Sequence, residues 1–126
     1  MKLAETRSSK GILVVILDHQ LAQLGDSLVN FVYSLALTRR YGKPMGKKIS
    51  DSVLAEAARM ADLRRLLPRR TSKGDVANSV EALLVHVWLN QLITIDEMST
   101  IIQRTEQAPV AFAELAKIAL QKLGGP

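Results

Sequence analysis

The sequence predicts an all-α protein, and three observations lead to that prediction. Apolar residues recur at intervals of three and four along most of the chain, which is the spacing of one buried helix face. The internal prolines Pro44, Pro68 and Pro109 fall at the borders of these periodic segments, where helices end or begin. The run from Ile12 to Leu17 has the composition of a strand, but no second strand is available to pair with it. We therefore predict that this run is helical as well.

The first long helix is predicted over Leu21 to Tyr41. Gly42 and Pro44 supply its stop, since neither residue continues a helix readily. Its expected buried face consists of apolar residues at helical spacing: Leu21, Leu24, Leu28, Phe31, Val32, Leu35 and Ala36.

The middle of the chain is predicted to hold two helices joined by a basic loop. The first begins at Ser50 or Asp51, with Ser50 as its N-cap, and ends near Ala61. A short turn over 63–67 follows, and after it comes the loop PRRTSKG. A long helix then covers 75–92, with a core stripe of Val76, Val80, Leu83, Leu84 and Val87.

Two further helices are predicted towards the C-terminal end. Thr94 is expected to cap the first, which runs to about Thr105, because Glu97 stands three residues after the cap in the capping-box pattern. Pro109 suits the first turn of the last helix, and Gly124 suits its C-terminal stop. With 126 residues, 48% of them hydrophobic, we expect residues 1–126 to form one domain with an ordinary core.

Positive charge is concentrated in the middle of the chain. The protein has a formal charge of +5 and a pI near 9.8. Residues 39–73 hold eleven basic side chains against three acidic ones, so this stretch carries +8 and the remainder is mildly acidic. Such a basic region favours a polyanionic partner, with nucleic acid as the first candidate. The alternative is an ordinary solvated surface.

Several functional classes are excluded or disfavoured. Without cysteine the chain has no thiol catalysis, no Cys-ligated zinc and no disulfide framework, which fits a cytoplasmic protein. The longest apolar run, 11–17, is far shorter than the roughly 18–20 residues that span a bilayer, so we expect a soluble protein without a membrane partner. No glycine-rich phosphate loop is present, and neither histidine belongs to a metal-binding pair.

Two helical segments carry oxygen ligands in positions that suit a metal site. Asp26 lies early in the first long helix, on a side that is otherwise apolar, where an unpaired charge needs a partner or a metal. Asn78 and Glu81 are three residues apart on the long central helix, so their side chains share one face. Two such facing helices can hold Mg²⁺, which prefers carboxylates and keeps several waters. Capping residues and surface acids are the alternative explanation.

The same segments resemble the signature helices of the ribonuclease III family. The stretch LAQLGDSLVNFVYSLAL (21–37) is similar to the family's motif EFLGDAVL, and DVANSVEALLVHVWL (75–89) is similar to its second acidic helix, ADAFEALIGAIYL. The intervening SDSVLAEAARMADL (50–63) resembles the helix that connects them. The order and spacing are those of the family's compact members, and the chain is closest in style to the Mini-III type, which lacks a double-stranded-RNA-binding domain.

The resemblance implies a ribonuclease III-type helical fold of about six helices. It also implies an Mg²⁺-dependent endoribonuclease, with Mn²⁺ as a substitute ion, that acts on structured or double-stranded RNA such as precursor ribosomal RNA. By position, Asp26 and Glu81 are the expected catalytic residues and metal ligands, and Asn78 is a further metal ligand. The basic side chains expected to bind RNA phosphates are Arg64, Arg65, Arg69, Arg70 and Lys73.

The chain departs from the family pattern within the site. The leading Glu of the first motif is Ala22 here, and the Asp of the second motif is Asn78, so half of the family's four acidic positions are lost. Mini-III enzymes also retain chiefly the Asp and the Glu, which is compatible with catalysis. The alternative is a catalytically inactive ribonuclease III-fold protein that binds RNA or associates with the ribosome, because ligand charge sets much of the affinity for a divalent cation.

A second departure concerns assembly. Family members dimerise through the signature helices, where an aromatic residue after the leading Glu enters the partner. Gln23 stands at that position and makes a poor hydrophobic plug. A two-fold homodimer remains the expectation, because one copy forms only half of a cleft long enough for a duplex.

Overall fold

The computed structural model describes residues 9–124, which form six α-helices and one 3₁₀ turn. The elements in order are α1 (Ser9–Ile16), α2 (His19–Tyr41), α3 (Asp51–Met60), the 3₁₀ turn (Arg64–Leu66), α4 (Lys73–Leu89), α5 (Ile95–Ile102) and α6 (Ala108–Lys122). No strand occurs within 9–124, so the predicted all-α fold is confirmed. The run 12–17 is helical in all but its last residue.

Several helix ends have the residues that the sequence predicted for them. The side chain of Ser50 accepts a hydrogen bond from the backbone N–H of Val53 and caps α3. Thr94 and Glu97 form a complete capping box at the start of α5. Gly42 ends α2 with a φ of 69°, a left-handed conformation in which glycine avoids the strain of a side chain. Local sequence therefore determines these boundaries.

Two helices begin earlier than predicted because residues upstream cap them. The Asp18 carboxylate accepts two backbone N–H bonds from the first turn of α2, which starts at His19. Ser72 caps α4, so this helix starts at Lys73. At its other end α4 stops three residues early, because Gln91 adopts a left-handed φ of 61°.

Helix α4 lies at the centre of the fold. Eleven of its 17 residues are buried, including the whole predicted stripe, and it contacts α1, α2, α3 and α6. A helix that is buried on most of its sides must be surrounded by other elements. Within 9–124 no helix is long and apolar enough to cross a membrane.

The buried face of α2 differs from the predicted one. Leu24 and Phe31 are 46% and 55% exposed, whereas Ala22, Gly25 and Val29 are buried. Small side chains at Ala22 and Gly25 let α2 approach its neighbour closely, so the buried face is turned towards them and Leu24 and Phe31 remain outside. The prediction that Leu24 and Phe31 belong to the core is therefore wrong.

Candidate active site

The candidate site lies where α2 and α4 pass each other in close contact. A Cβ atom added to Gly25 would lie 2.1 Å from the carbonyl oxygen of Glu81 and 2.5 Å from its carbonyl carbon. Neither distance is sterically possible, so only glycine fits at this crossing. Because Gly25 directly precedes Asp26, the contact that packs the helices also brings Asp26 beside Glu81.

Asp26, Asn78 and Glu81 line one cavity of about 340 Å³ between these helices. The structure thus brings together the three residues that were predicted as metal ligands. The other lining residues are His19, Ala22, Gln23 and Asp51. Among the seven lining residues, Ala22 and Asn78 are the positions at which the chain lacks the carboxylates of the family motifs.

Glu81 is the buried acid of the cavity, with only 4% of its surface exposed. Within 9–124 its carboxyl group accepts no hydrogen bond from an N–H group and forms no ion pair, and its acidic neighbours are Asp26 and Asp51. Burial, followed by the hydrogen bond with Asp26 and the charges of Asp26 and Asp51, raises the pKa of Glu81 to about 8. At neutral pH without a cation, Glu81 therefore holds a proton.

Asp26 lies at the exposed edge of the cavity instead of being buried on an apolar side of α2, as the sequence suggested. Its carboxylate oxygen accepts a hydrogen bond of 3.2 Å from the side-chain amide of Asn30, one turn further along the helix. Of these two acids, Glu81 is therefore the one whose carboxyl group is removed from water. Since Asp26 is accessible to solvent, it is the acid better placed to meet an incoming ligand.

Asn30 also connects Asp26 to the loop before α3. Its Nδ2 donates to the backbone carbonyl of Asp26 at 2.8 Å, and its Oδ1 accepts from the backbone N–H of Ile49 at 2.7 Å. The side chain of Ile49 is buried, two residues before Asp51. One amide group therefore positions both the Asp26 carboxylate and the chain segment that leads to Asp51.

Asp51 was not predicted as a site residue, because it belongs to neither acidic motif. It is the first residue of α3, and the loop that precedes this helix returns it to the side of α2 where Asp26 lies. Only the N-cap Ser50 before it marks the position in the sequence as a helix start. The proximity of Asp51 to the other acids is a tertiary feature that helical periodicity does not reveal.

The side chains of this cavity fit a hard divalent cation. Three carboxyl groups and the amide oxygen of Asn78 are the kinds of oxygen donor that Mg²⁺ prefers. The buried Glu81, which has acids but no cation beside it, is the feature that favours a bound positive charge. Within the described residues, no three Asp, Glu or His side chains are already arranged to hold an ion directly. Mg²⁺ keeps several waters, so some of these acids would bind it through water.

A second cavity, of about 290 Å³, continues the first along the protein surface. The two share His19, Ala22 and Asn78, and the second extends to Thr71 and Asp75. The groove thereby leads from the carboxylates to the basic loop before α4. Sequence reasoning assigned no role to His19, whose position in the groove depends on the early start of α2.

Two of the predicted phosphate-binding arginines have partners within the protein. The guanidinium of Arg64 donates to the backbone carbonyls of Pro68 at 3.1 Å and Arg69 at 2.7 Å, so it braces the basic loop. Arg65 forms an exposed ion pair with Asp62 at 2.5 Å. Such a surface pair contributes little to stability and leaves Arg65 accessible to a competing anion.

The other three predicted residues lie on or beside the loop. Arg69 and Arg70 are exposed, and neither side chain has an ion pair with any residue in 9–124. Lys73 Nζ lies 3.3 Å from the Ser52 hydroxyl, and Ser52 directly follows Asp51. Positive charge therefore lies next to the acidic cavity, where a polyanion that approaches the acids would meet it.

The chain matches the family model described as Ribonuclease III over residues 19–124. Comparison with curated proteins gave no match. The matched region includes both acidic helices, the connecting helix α3 and the basic loop. Members of this family act on RNA and generally depend on a divalent metal ion. The match covers most of the chain, which therefore belongs to the ribonuclease III family.

Proposed function

We propose that the protein is a divalent-metal-dependent endoribonuclease that hydrolyses structured or double-stranded RNA. The observation that carries the proposal is the convergence of Asp26, Asn78 and Glu81 on one cavity. These residues come from the two helices that carry the acidic motifs. The buried Glu81 has no positive partner within 9–124, which favours a site built for a cation.

In this proposal Mg²⁺, or Mn²⁺ in its place, supplies an activated water and stabilises charge at the scissile phosphate when bound. Asp26 and Glu81 would hold the ion, and Asn78 would add a neutral oxygen. Glu81 must release its proton to serve as a ligand, because a protonated carboxyl group is a poor one. Asn30 orients the Asp26 carboxylate, and Gly25 sets the spacing of the two helices. The protein supplies no covalent nucleophile.

We assign the RNA backbone to the basic loop and the groove beside it. Arg69, Arg70 and Lys73 would bind phosphates directly, while Arg65 would exchange its ion pair with Asp62 for a phosphate. Arg64 would bind phosphate from the position that it holds while bracing the loop. Duplex RNA is recognised mainly through its shape and backbone, which suits a basic surface without stacked aromatic residues. Precursor ribosomal RNA is the substrate that the Mini-III resemblance favours.

We also propose that the protein acts as a two-fold homodimer. Leu17, Leu24 and Phe31 follow each other at intervals of seven residues and are 46%, 46% and 55% exposed. That spacing places Leu24 and Phe31 on one face of α2, two turns apart, and Leu17 lies in the turn before the helix. This apolar stripe, on the first signature helix, is a surface that a second copy would cover. It replaces the aromatic plug that Gln23 cannot provide.

A second candidate function is RNA binding without cleavage, including association with a ribosome. The observation that favours it is the absence of a carboxylate at Ala22 and at Asn78. The described part of the chain also lacks three acids already arranged around an ion. A lower ligand charge weakens Mg²⁺ binding, and a weakly bound ion leaves a fold that holds RNA but does not cut it.

Cleavage of a labelled RNA duplex by the purified full chain separates the two functions. The reaction is run with Mg²⁺, with Mn²⁺ and with EDTA, and Asp26→Asn and Glu81→Gln are compared with Asp96→Asn, an exposed aspartate in the first turn of α5. The endoribonuclease requires metal-dependent cutting that both site variants abolish and the control retains. Duplex binding without cutting, unchanged in all three variants, would support the second candidate.

A further inference from the structure

We propose that Asp51 is the third carboxylate of the cation site and makes up for the acid that is missing at Ala22. This inference rests on the proposed metal-dependent function, and it assigns a residue outside both acidic motifs. Asp51 shares the cavity with Asp26, Asn78 and Glu81 but comes from the start of α3, a third helix. The site would then draw its ligands from three elements rather than two.

The Asp51 carboxylate has no other partner to explain its position. Within 9–124 it accepts no hydrogen bond and forms no ion pair, although it stands at a helix N-terminus. The N-cap role there belongs to Ser50. Four other acids do have ion-pair partners: Asp96 pairs with Arg39, Asp62 with Arg65, Glu56 with Arg59 and Glu114 with Arg104. The Asp51 carboxylate therefore remains available for a ligand.

The surrounding backbone leaves space for this carboxylate beside α4. The atom nearest to a Cβ added at Gly74 would be Asp51 Oδ2, at 3.8 Å. Asp51 therefore lies against the first turn of α4, the helix that carries Asn78 and Glu81. The hydrogen bond from the Ile49 backbone to Asn30 fixes the segment two residues earlier. Asp51 thus lies beside the start of α4, two residues after the backbone group that Asn30 of α2 binds.

Glu81 gives an independent reason for a cation at this place. It is 4% exposed, and within the described residues it accepts no hydrogen bond from an N–H group and forms no ion pair. Asp26 and Asp51 line the same cavity, so three carboxyl groups from three helices converge on one space. Converging carboxyl groups are the oxygen donors that a hard divalent cation prefers. Because such a cation keeps waters, Asp51 can act through one of them.

The test measures Mn²⁺ binding to the full chain without RNA, by the loss of the free-ion electron paramagnetic resonance signal. Asp51→Asn is compared with Asp96→Asn, which removes the same charge from the first turn of another capped helix. We expect Asp51→Asn to weaken Mn²⁺ binding by at least about tenfold, as the loss of an outer-shell partner does. Asp96→Asn is expected to bind like wild type. Asp51→Glu, which keeps the charge, should retain more affinity than Asp51→Asn.

The outcomes separate this inference from the proposed function. If Asp26→Asn abolishes Mn²⁺ binding while Asp51→Asn binds within about twofold of wild type, Asp51 is no ligand and the metal-dependent function stands. Absence of binding to the wild type itself would overturn both. Circular dichroism of each variant identifies any loss of affinity that comes from unfolding. If Asp51→Asn unfolds, the Mn²⁺ affinity of Asp51→Glu decides the question. An affinity no better than that of Asp26→Asn overturns the assignment of Asp51, and an affinity close to that of the wild type supports it.

Discussion

Gly25 and Glu81 meet backbone to backbone, with only 2.1 Å between an added Cβ at Gly25 and the Glu81 carbonyl oxygen. The contact lies one residue from Asp26, so the packing of α2 on α4 and the geometry of the acidic cavity depend on the same residue. A helix pair that merely needed to pack would accept alanine at a slightly larger separation. Here any separation of the helices also separates Asp26 from Glu81.

Gly25→Ala should therefore damage stability and cation binding together. Overpacking of a core typically costs about 1–3 kcal/mol, and a clash with backbone cannot be relieved by a side-chain rotation. We expect the free energy of unfolding to fall by about 3 kcal/mol in urea titrations, and Mn²⁺ affinity to fall in the fraction that stays folded. Gly46→Ala is the control, since no atom of the described residues lies within 4 Å of an added Cβ there. Equal stability of the two variants would contradict the close contact.

The helical segments could be predicted because their signals are local. Ser50 and Thr94 cap the helices that follow them, and the apolar stripe of α4 has the period of a buried helix. Asp26, Asn78 and Glu81 could be grouped because the two motifs carry them. A local sequence pattern does not determine how a helix is rotated about its own axis, and therefore which of its apolar residues face the core. Leu24 fits the predicted stripe of α2 as well as Leu28 does, yet Leu24 is on the surface.

The position of Asp51 in the site could not be predicted from the local sequence either. Its position depends on where the loop over 42–50 places the start of α3, and that path is fixed by contacts such as the Asn30 hydrogen bond to Ile49. No spacing rule relates Asn30 to Ile49, which are 19 residues apart. The exposure of Asp26 and the burial of Glu81 also depend on tertiary packing, because the sequence alone does not determine which of the two acids is buried.

The stability of the metal-free protein should fall as the pH rises from about 5 to about 8. The pKa of Glu81 is about 8 in the folded chain, above its ordinary value of 4.5, so the native state holds this proton more tightly than the unfolded state does. The stabilisation is fully present below pH 4.5 and is lost as the pH rises through 8. Since one pKa unit corresponds to about 1.4 kcal/mol, the loss should amount to a few kcal/mol.

Glu81→Gln isolates this effect, because glutamine cannot lose a proton. Burial lowers the pKa of His86, which adds stability as the pH rises through the ordinary histidine range, so the curves of wild type and variant must be subtracted. The measurement is urea unfolding in EDTA at several pH values. A difference that does not change between pH 5 and pH 8 would mean that Glu81 is not shifted. Added Mg²⁺ should remove most of the pH dependence of the wild type, because it favours the ionised carboxylate.

Asn30→Ala should weaken cation binding without touching a proposed ligand. The substitution removes the donor to Asp26 and leaves the backbone N–H of Ile49 without its acceptor, which costs roughly 1–3 kcal/mol where that group is shielded from water. We expect lower Mn²⁺ affinity, measured by titration calorimetry, from the looser placement of Asp26 and Asp51. Asn90→Ala is the matched control, because Asn90 also donates to the carbonyl four residues before it, at 2.8 Å to His86. Comparable losses of affinity in both variants would indicate a general effect of helix stability.

Replacing Arg69 and Arg70 together by glutamine should weaken RNA binding and its salt dependence. Each lost phosphate contact lowers the slope of log affinity against log salt by about one, so we expect a decrease of about two. Filter binding of a duplex between 50 and 200 mM salt gives the slope. Arg104→Gln is the control, since Arg104 pairs with Glu114 on α6. A slope that stays at the wild-type value would remove these two residues from the RNA interface.

Phe31→Ser combined with Leu24→Ser should convert the proposed dimer to a monomer. Both side chains are about half exposed in the single chain, so removing them costs the isolated fold little, whereas an interface would lose two large apolar contacts. Sedimentation equilibrium gives the dissociation constant of the wild type and the variant. Tyr41→Ser is the control, as Tyr41 is equally exposed, at 53%, but lies at the far end of α2 and off the stripe. If Tyr41→Ser dissociates the dimer and the double variant does not, the two copies meet at the C-terminal end of α2. If the wild type is itself a monomer, the proposed dimer is wrong. A duplex would then have to bind in the groove of a single copy.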